Sequence, residues 1–595
     1  MSTSETHSDV LKWHDVVRNA ERQGELLAAF DAAERGLVEH PGDRWLQHRA
    51  VLALARAGST EEAQRRFREY GLGDVETEDA RALEARLEKD VGLAATGERR
   101  CGYAARSADL YNAVFESTGG YYSGINAATM YLIAGDDQKS RALAAQVLAL
   151  AREAEDDPYY AAATEAEAQL LLGEVDAARG ALVRAAPLAH ADHAAIATTR
   201  RQIRLVCTAL GVGENLIEAL PVPEVVHYCG HRITPGSASR FRAVDEAAVA
   251  GRIRAAIAAR SIGHGYGSLA SGADILWAEA ILERNADLHV VFPFGQEEFV
   301  ELSVAPAGPV WVDRFHRCLE RAASVRYATE DAYLGDDVLF SYASELAMGL
   351  AILHARHLDG EVLQLALWDG RQARGEAGTA VDIDTWRSRG LASVIVPIDG
   401  SLDEGRVPSE RSTSRRVVRA LLFADVKGFS TLRDEQLPSF FEHVLGAFAR
   451  VLKMHRRNIC YCNTWGDALY VVVTDSEATA SLALDLRAAM SSFDPETAGL
   501  PPLALRIGAH LGPVYPITDP VLGTSSFTGS HVSRTARIEP VTPAGSIYVT
   551  ERFAAALLLT TGDTFACDYV GHMPAAKDYG NLRMYRLRPT GETNA

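Results

Sequence analysis

At 595 residues, with 47% hydrophobic and 23% charged side chains, the chain is too long for one core and composed like a soluble globular protein of about three or four domains. A formal net charge of −19 argues against nucleic-acid backbone as the main partner, since no broad basic surface is implied. No apolar run approaches a membrane span, Ala554 to Leu559 being the nearest and far too short, and Met1 to Asp9 is unlike a signal peptide. The seven cysteines, an odd number scattered from Cys101 to Cys567, fit a reduced cytoplasmic setting with no membrane partner.

From about residue 10 to 215 the chain is rich in Ala, Leu, Glu and Arg at helical spacing. Leu27 to Ala33, the turn Pro41-Gly42-Asp43, Trp45 to Ala57, Gly58, and Glu61 to Tyr70 predict helix, turn, helix, turn, helix. These pairs resemble tetratricopeptide-type repeats. The stretch Thr118 to Thr129 looks like the TRAF-binding-type helical region found beside some signalling domains. Nothing in residues 1–215 has catalytic spacing, so an all-α scaffold or sensor domain is expected there.

Pro221 and Pro223 mark a break. A strand at Val225 to Tyr228, a helix at Glu246 to Ala259, a Gly-rich stretch from Gly263 to Asp274, a helix at Ile275 to Arg284 and a strand at Leu288 to Phe292 follow. Further strands are expected at Val362 to Leu367 and Val394 to Ile398. Strands alternating with helices predict a parallel, doubly wound α/β sheet, whose glycines would lie at strand carboxyl ends where such sheets bind ligands. The run Ser268 to Asp274, with Gly230-His231-Arg232 and Phe292-Pro293-Phe294, resembles the SLOG superfamily of Rossmann-like nucleotide-ligand domains across residues 222–400. That resemblance implies a ligand site, with Arg232, Ser271 and Asp274 as its candidate residues.

Residues 401–416 have no apolar period and read as a linker. Beyond it, Asp425 ends the apolar run Arg419 to Phe423, and Asp467 precedes the run Leu469 to Val473. Two carboxylates set side by side on neighbouring strands repel unless a divalent cation neutralises them, and oxygen-only ligation suits Mg²⁺ or Mn²⁺ held with substrate phosphates. The intervening turn, Val426 to Ser430, offers backbone N–H groups just before a helical segment, a ready anion site at Lys427, Gly428, Phe429 and Ser430. Metal pair and phosphate cradle together read as nucleotide chemistry. Cys460 and Cys462 form a C-x-C on one face of a strand, and burial as small apolar residues is the expectation.

The remaining order is helix (Gln436 to His455), hairpin (Ile459 to Cys462, Tyr470 to Val473), helix (Ala478 to Met490), strand (Leu503 to His510), a loop and helix at Gly529 to Glu539, and strands Ile547 to Val549 and Leu582 to Leu587. This α+β, ferredoxin-like pattern over residues 417–590 resembles the class III adenylate/guanylate cyclases. The resemblance implies two Mg²⁺ or Mn²⁺ ions per site on Asp425 and Asp467, with the Val426 carbonyl assisting. It implies Arg537 on the charge of the reacting phosphorus and Lys577 on the triphosphate. It also implies a site shared between two chains, hence a head-to-tail homodimer.

Three positions depart from the family pattern. Asn463 stands four residues before Asp467, where adenylate cyclases usually carry Lys and guanylate cyclases Glu. Ser526 stands where Asp, Thr or Cys is common, and Ser533 replaces the ribose-positioning Asn. Strand alternation puts Tyr461 on the face of Asn463, where a phenol would narrow the base pocket and the carboxamide could meet a pyrimidine edge. With the Val532-to-Pro540 segment, these changes resemble the Pycsar pyrimidine cyclases of bacterial antiphage defence. UTP to cUMP is the expected conversion. The alternatives are an adenylate cyclase acting on ATP, a nucleotide-binding regulator that no longer turns over, and an enzyme whose activity lies in the SLOG-like domain.

Overall fold

The computed structural model describes residues 3–233, 240–373, 375–398, 416–560, 564–576 and 580–591, with side chains from residue 9 onward. Most of the 401–416 linker, and Lys577, lie outside these residues.

The N-terminal region is a run of antiparallel helices from Thr3–Arg22 to His193–Leu210. The capping chemistry is local. Asp43, Asp136, Asp157 and Asp192 each accept a backbone N–H from the residue three places on, and so open a helix. Gly135 and Gly173 close helices in the left-handed region at φ 89° and 91°. Small residues, chiefly Ala, fill the core between the helices.

The middle region contains β1 (Glu224–Gly230), β2 (Ile262–Gly267), β3 (Asp287–Phe292), β4 (Ser324–Tyr327), β5 (Val362–Trp368) and β6 (Ser393–Pro397), in the order β4-β3-β2-β1-β5-β6 with every pairing parallel. Alternate residues serve two cores. Val226 and Tyr228 pack with helices Glu246–Ala258, Ala273–Leu282 and Pro309–Glu320, while Val225 and Tyr266 pack with helix Val338–Leu358. The Gly-rich stretch is not all loop. Its first half is β2, where glycines permit close packing: a Cβ on Gly265 would lie 2.5 Å from Ile281 and one on Gly267 2.5 Å from Tyr228.

The apolar segment that satisfies the length and composition of a membrane span is Val338–Leu358, mean hydropathy 1.4, rather than Ala554–Leu559. Interruption by Glu345, His354, Arg356 and His357 masks it in sequence. It packs between the parallel sheet, the N-terminal helices and the C-terminal domain, with its Gly349 face against Ala555.

The C-terminal region contains β7 (Val417–Lys427), β8 (Ile459–Trp465), β9 (Ala468–Val473), β10 (Ala504–Thr518), β11 (Ser525–Thr528), β12 (Ile547–Thr550), β13 (Phe565–Pro574) and β14 (Asn581–Pro589). Their order is β13-β14-β12-β10-β7-β9-β8, with β11 on β10 and only the β10–β12 pairing parallel. Helices Gly446–Met454, Ser476–Ser491 and Glu551–Thr560 cover one face, burying Ala420, Leu422, Ala424 and Val426 of β7. Because β8 is the outermost strand, Cys460 and Cys462 are exposed, not buried as their spacing suggested.

One buried ionic network ties the three regions. Arg326 of β4 pairs with Glu551, Glu551 accepts from Arg583 at 3.1 Å, and Arg583 donates at 2.9 Å to Asp31 in helix Leu26–Glu39. The Tyr569 hydroxyl donates to the same Asp31 at 2.6 Å.

Candidate active site

The face of the C-terminal sheet opposite these three helices carries the candidate site. With Leu422 and Ala424 turned to the helices, strand alternation turns Leu421, Phe423 and Asp425 the other way. On β9 the same rule turns Tyr470 and Val472 outward, and on β10 Arg506, which lies opposite Asp425 in register. Asp467 sits in the turn between β8 and β9, within side-chain hydrogen-bonding reach of Asp425. Its own burial, then the charge of Asp425, push the Asp467 carboxyl up to about 6. The structure thus brings the two aspartates together as one coupled pair.

Two members of this cluster escaped the sequence reading. Arg506 reaches Asp425 Oδ2 with Nη2 at 2.7 Å and Nε at 3.1 Å, and its Nε lies 2.5 Å from Glu539 Oε1. Burial pushes Glu539 up to about 7, with Asp425 and Asp467 adding to the effect. Three carboxylates against one guanidinium is a donor set that fits divalent-cation binding. In sequence, the only signal for Arg506 was its register opposite Asp425, which requires the strand pairing to be known.

Val426 turns its side chain into the helix-covered core, leaving only its backbone available to the site. Lys427 ends β7, and Gly428, Phe429 and Ser430 enter a 3-10 turn, Phe429–Thr431, whose first N–H groups have no partner within the turn. Phe429 packs its ring on Phe440 at 4.8 Å, so its backbone faces outward rather than its side chain.

Beside the carboxylates lies an aromatic floor. Phe423 stacks on Tyr470 at 4.5 Å, and Tyr461 leans on Tyr470 at 5.6 Å. Phe527 and Val532 complete the patch, which brings Ser526 and Ser533, their chain neighbours, to the same region. The Tyr470 hydroxyl is buried without a hydrogen-bond partner. The Asn463 carboxamide oxygen accepts from the Thr464 N–H at 2.9 Å. Arg537 follows the short helix Ser530–Thr535 and makes no ion pair with these carboxylates within the chain.

That helix is seated by a buried relay. His531 and His510 share a ring–ring hydrogen bond of 2.7 Å, His510 contacts Thr550 Oγ1 at 2.7 Å, and His531 contacts Thr329 of the middle region at 3.1 Å. Only glycine fits beneath it, since a Cβ on Gly512 would fall 2.3 Å from His531. His510→Leu strands the His531 and Thr550 partners and is expected to cost about 1–3 kcal/mol, read as a lower thermal unfolding midpoint.

In the middle region Arg232 and Asp274 line a cavity of about 410 Å³ at the carboxyl ends of β1, β2 and β3. Burial pushes Asp274 up to about 7. Ser271 is placed differently: its hydroxyl donates to the backbone carbonyls of Ile233 and Ser303, a structural tie beside the cavity.

Residues 413–588 match the adenylate and guanylate cyclase catalytic domain family, and residues 24–131 match the tetratricopeptide repeats-sensor family. No curated protein matches the chain. Among solved structures, the chain is similar to the guanylate cyclase domain of RhGC from Catenaria anguillulae in complex with GTP, at 20% identity and TM-score 0.26, covering 29% of this chain and 97% of that one. It is also similar to the adenylyl cyclase CyaB from P. aeruginosa, at 16% identity and TM-score 0.27, covering 30% of this chain and 97% of that one. In its C-terminal third, behind tetratricopeptide-type repeats, the chain carries the catalytic domain of a nucleotidyl cyclase, a phosphorus–oxygen lyase.

Proposed function

We propose that this protein converts a nucleoside triphosphate, UTP before ATP, into its 3′,5′-cyclic nucleotide and pyrophosphate, as a cytoplasmic second-messenger enzyme of the Pycsar type in bacterial antiphage defence. The observation that carries the nucleotide chemistry is the Asp425–Asp467 pair, set on the same sheet face as the Phe423–Tyr470 ring stack. Bound on Asp425, Asp467 and the Val426 carbonyl, two Mg²⁺ or Mn²⁺ ions would supply activation of the ribose 3′-hydroxyl and neutralisation of the phosphates. Arg506 holds Asp425 in its rotamer and moderates the repulsion of the carboxylate cluster. The turn at Lys427 to Ser430 and Lys577 grip the triphosphate. Arg537 lays a planar guanidinium on the phosphoryl oxygens as charge builds there, and Ser533 steadies the ribose.

A head-to-tail homodimer would complete each site with the partner's arginine, as the cyclase family match suggests. The open edge at β8, where Trp465 is 70% exposed, is the surface such a dimer would cover. The base reading rests on Tyr461, Asn463 and Ser526. Tyr461, leaning on Tyr470, would narrow the base pocket, and the Asn463 amide nitrogen would offer a donor to a pyrimidine carbonyl. The parallel-sheet region acts as a SLOG-like sensor whose ligand contacts Arg232 and Asp274, and the His510–His531 relay carries its state to the Arg537 helix.

Incubating the full chain with each of the four NTPs and Mn²⁺, with products identified by mass spectrometry, tests the reading. A cyclic pyrimidine nucleotide is expected, and cyclic AMP as sole product would overturn the base assignment. Asn463→Lys is expected to move kcat/KM toward ATP by about tenfold, the worth of one specific hydrogen bond of ~1.4 kcal/mol. An unchanged ratio would remove Asn463 as the reader.

A further inference from the structure

Between the N-terminal helices and the parallel sheet lies a histidine cage that the cyclase chemistry does not use. His264 of β2, His289 of β3 and His354 of helix Val338–Leu358 each place one ring nitrogen within 4.8 Å of one from each of the others. Their exposures are 1%, 4% and 4%. Strand alternation explains the convergence. His264 and Tyr266 share one face of β2, and both meet the helix that covers that face. From the N-terminal region comes Glu25, in the turn before helix Leu26–Glu39, with Oε1 3.4 Å from His289 Nε2 and 3.7 Å from His354 Nδ1.

What sets the cage apart is which atoms have partners. His289 Nδ1 is hydrogen-bonded to Ser324 Oγ at 2.9 Å and His354 Nδ1 to the Tyr266 hydroxyl at 2.9 Å, whereas His264 Nδ1 has no hydrogen-bond partner, Asp287 Oδ2 lying 3.4 Å away. The opposite nitrogens, Nε2 of all three rings, are buried with no hydrogen-bond partner, as is Glu25 Oε1. His289 and His354, each anchored through one nitrogen with the other left bare, are oriented as proteins orient imidazole toward a metal. Left without a ligand, each bare buried polar atom costs about 1–3 kcal/mol, and native folds rarely collect four in one place.

We infer that His264, His289 and His354, with the Glu25 carboxylate as anionic fourth ligand, bind one zinc-like divalent transition-metal ion. Three imidazoles select a borderline-soft ion over Mg²⁺ or Mn²⁺, so this site and the carboxylate site take different metals. Zn–N bonds of about 2.1 Å put two ring nitrogens at most about 4 Å apart, so binding draws the cage in slightly. With four protein ligands the site is closed and structural. It pins the turn at Glu25, and with it the N-terminal helices, to the parallel sheet.

The test uses full-length protein, with elemental analysis after gel filtration and reconstitution with Co²⁺ after chelation. About one zinc per chain is expected in the wild type, retained in Asp425→Asn and lost in the double variant H264Q/H289Q. Co²⁺ should give the strong visible absorption of a tetrahedral site in wild type and in Asp425→Asn, and none in the double variant. Chelation should lower the unfolding midpoint of the wild type and leave that of the double variant unmoved. Wild type purified from zinc-supplemented medium without the ion, and silent with Co²⁺, overturns the inference. So does a double variant that keeps its metal, or an Asp425→Asn protein that loses it, which would assign the ion to the cyclase site. Should the double variant fail to fold, the wild-type and Asp425→Asn stoichiometries and Co²⁺ spectra decide the question unaided.

Discussion

Asp467→Asn is expected to lower kcat/KM by at least about a thousandfold, ~4 kcal/mol of barrier, and at the same time to make the metal-free protein harder to unfold. The first effect follows from the carboxylate pair. An amide oxygen carries no charge to hold a divalent ion, which when bound on the two aspartates would supply charge neutralisation for the phosphates. The second effect has the opposite sign because the native site is destabilised by its own charges. Burial and Asp425 raise the Asp467 carboxyl to about 6, so its protonated form is favoured in the fold. That contribution is fully present below the unfolded value of 3.8 and is lost as pH rises through about 6. Asparagine keeps the hydrogen-bonding shape without the charge. The midpoint of Asp467→Asn should therefore exceed that of the metal-free wild type at pH 7.5 and converge with it near pH 4. Differential scanning calorimetry with chelator checks this, and a variant less stable than wild type at pH 7.5 would mean that the two carboxylates do not repel.

The second large effect is expected at Glu551, far from the chemistry. It lies between Arg326 of the parallel-sheet region and Arg583 of the cyclase domain, and Arg583 continues to Asp31 of the helical region. Burial opposes its ionisation, but the two guanidinium groups outweigh that and hold the carboxyl down at about 2. Glu551→Gln leaves two arginines facing one another in a buried setting, which costs about 3–5 kcal/mol. The paired change R326L/E551L keeps Arg583 on Asp31 and removes both ends of the broken pair, so it should cost much less than the single change. In the wild type the same network contributes stability above the ordinary carboxylate pKa, 4.5, and loses it as pH falls toward about 2. Limited proteolysis between residues 215 and 222 reports the loosening. Equal sensitivity of Glu551→Gln and the double variant would show that the network does not hold the regions together.

The chemistry was legible in sequence where it depended on residues close together in the chain. Asp425 at the end of an apolar strand, a glycine turn after it, and Asp467 in a hairpin announced a carboxylate site, because strand period and turn chemistry are local properties. Helical pairs were legible for the same reason, through Asp caps and closing glycines. What tertiary structure alone decided were the contacts between distant segments: Arg506 opposite Asp425 by register, Glu539 folded back onto Arg506, and Tyr470 stacked on Phe423. It also exposed Cys460 and Cys462 by leaving β8 at the sheet edge, and turned Gly263–Gly267 into a strand because Ile281 and Tyr228 need the room. The histidine cage is the extreme case. Glu25, His264, His289 and His354 are scattered over more than half the chain, so no spacing rule joins them, and only the packing of helix Val338–Leu358 against the parallel sheet makes them neighbours.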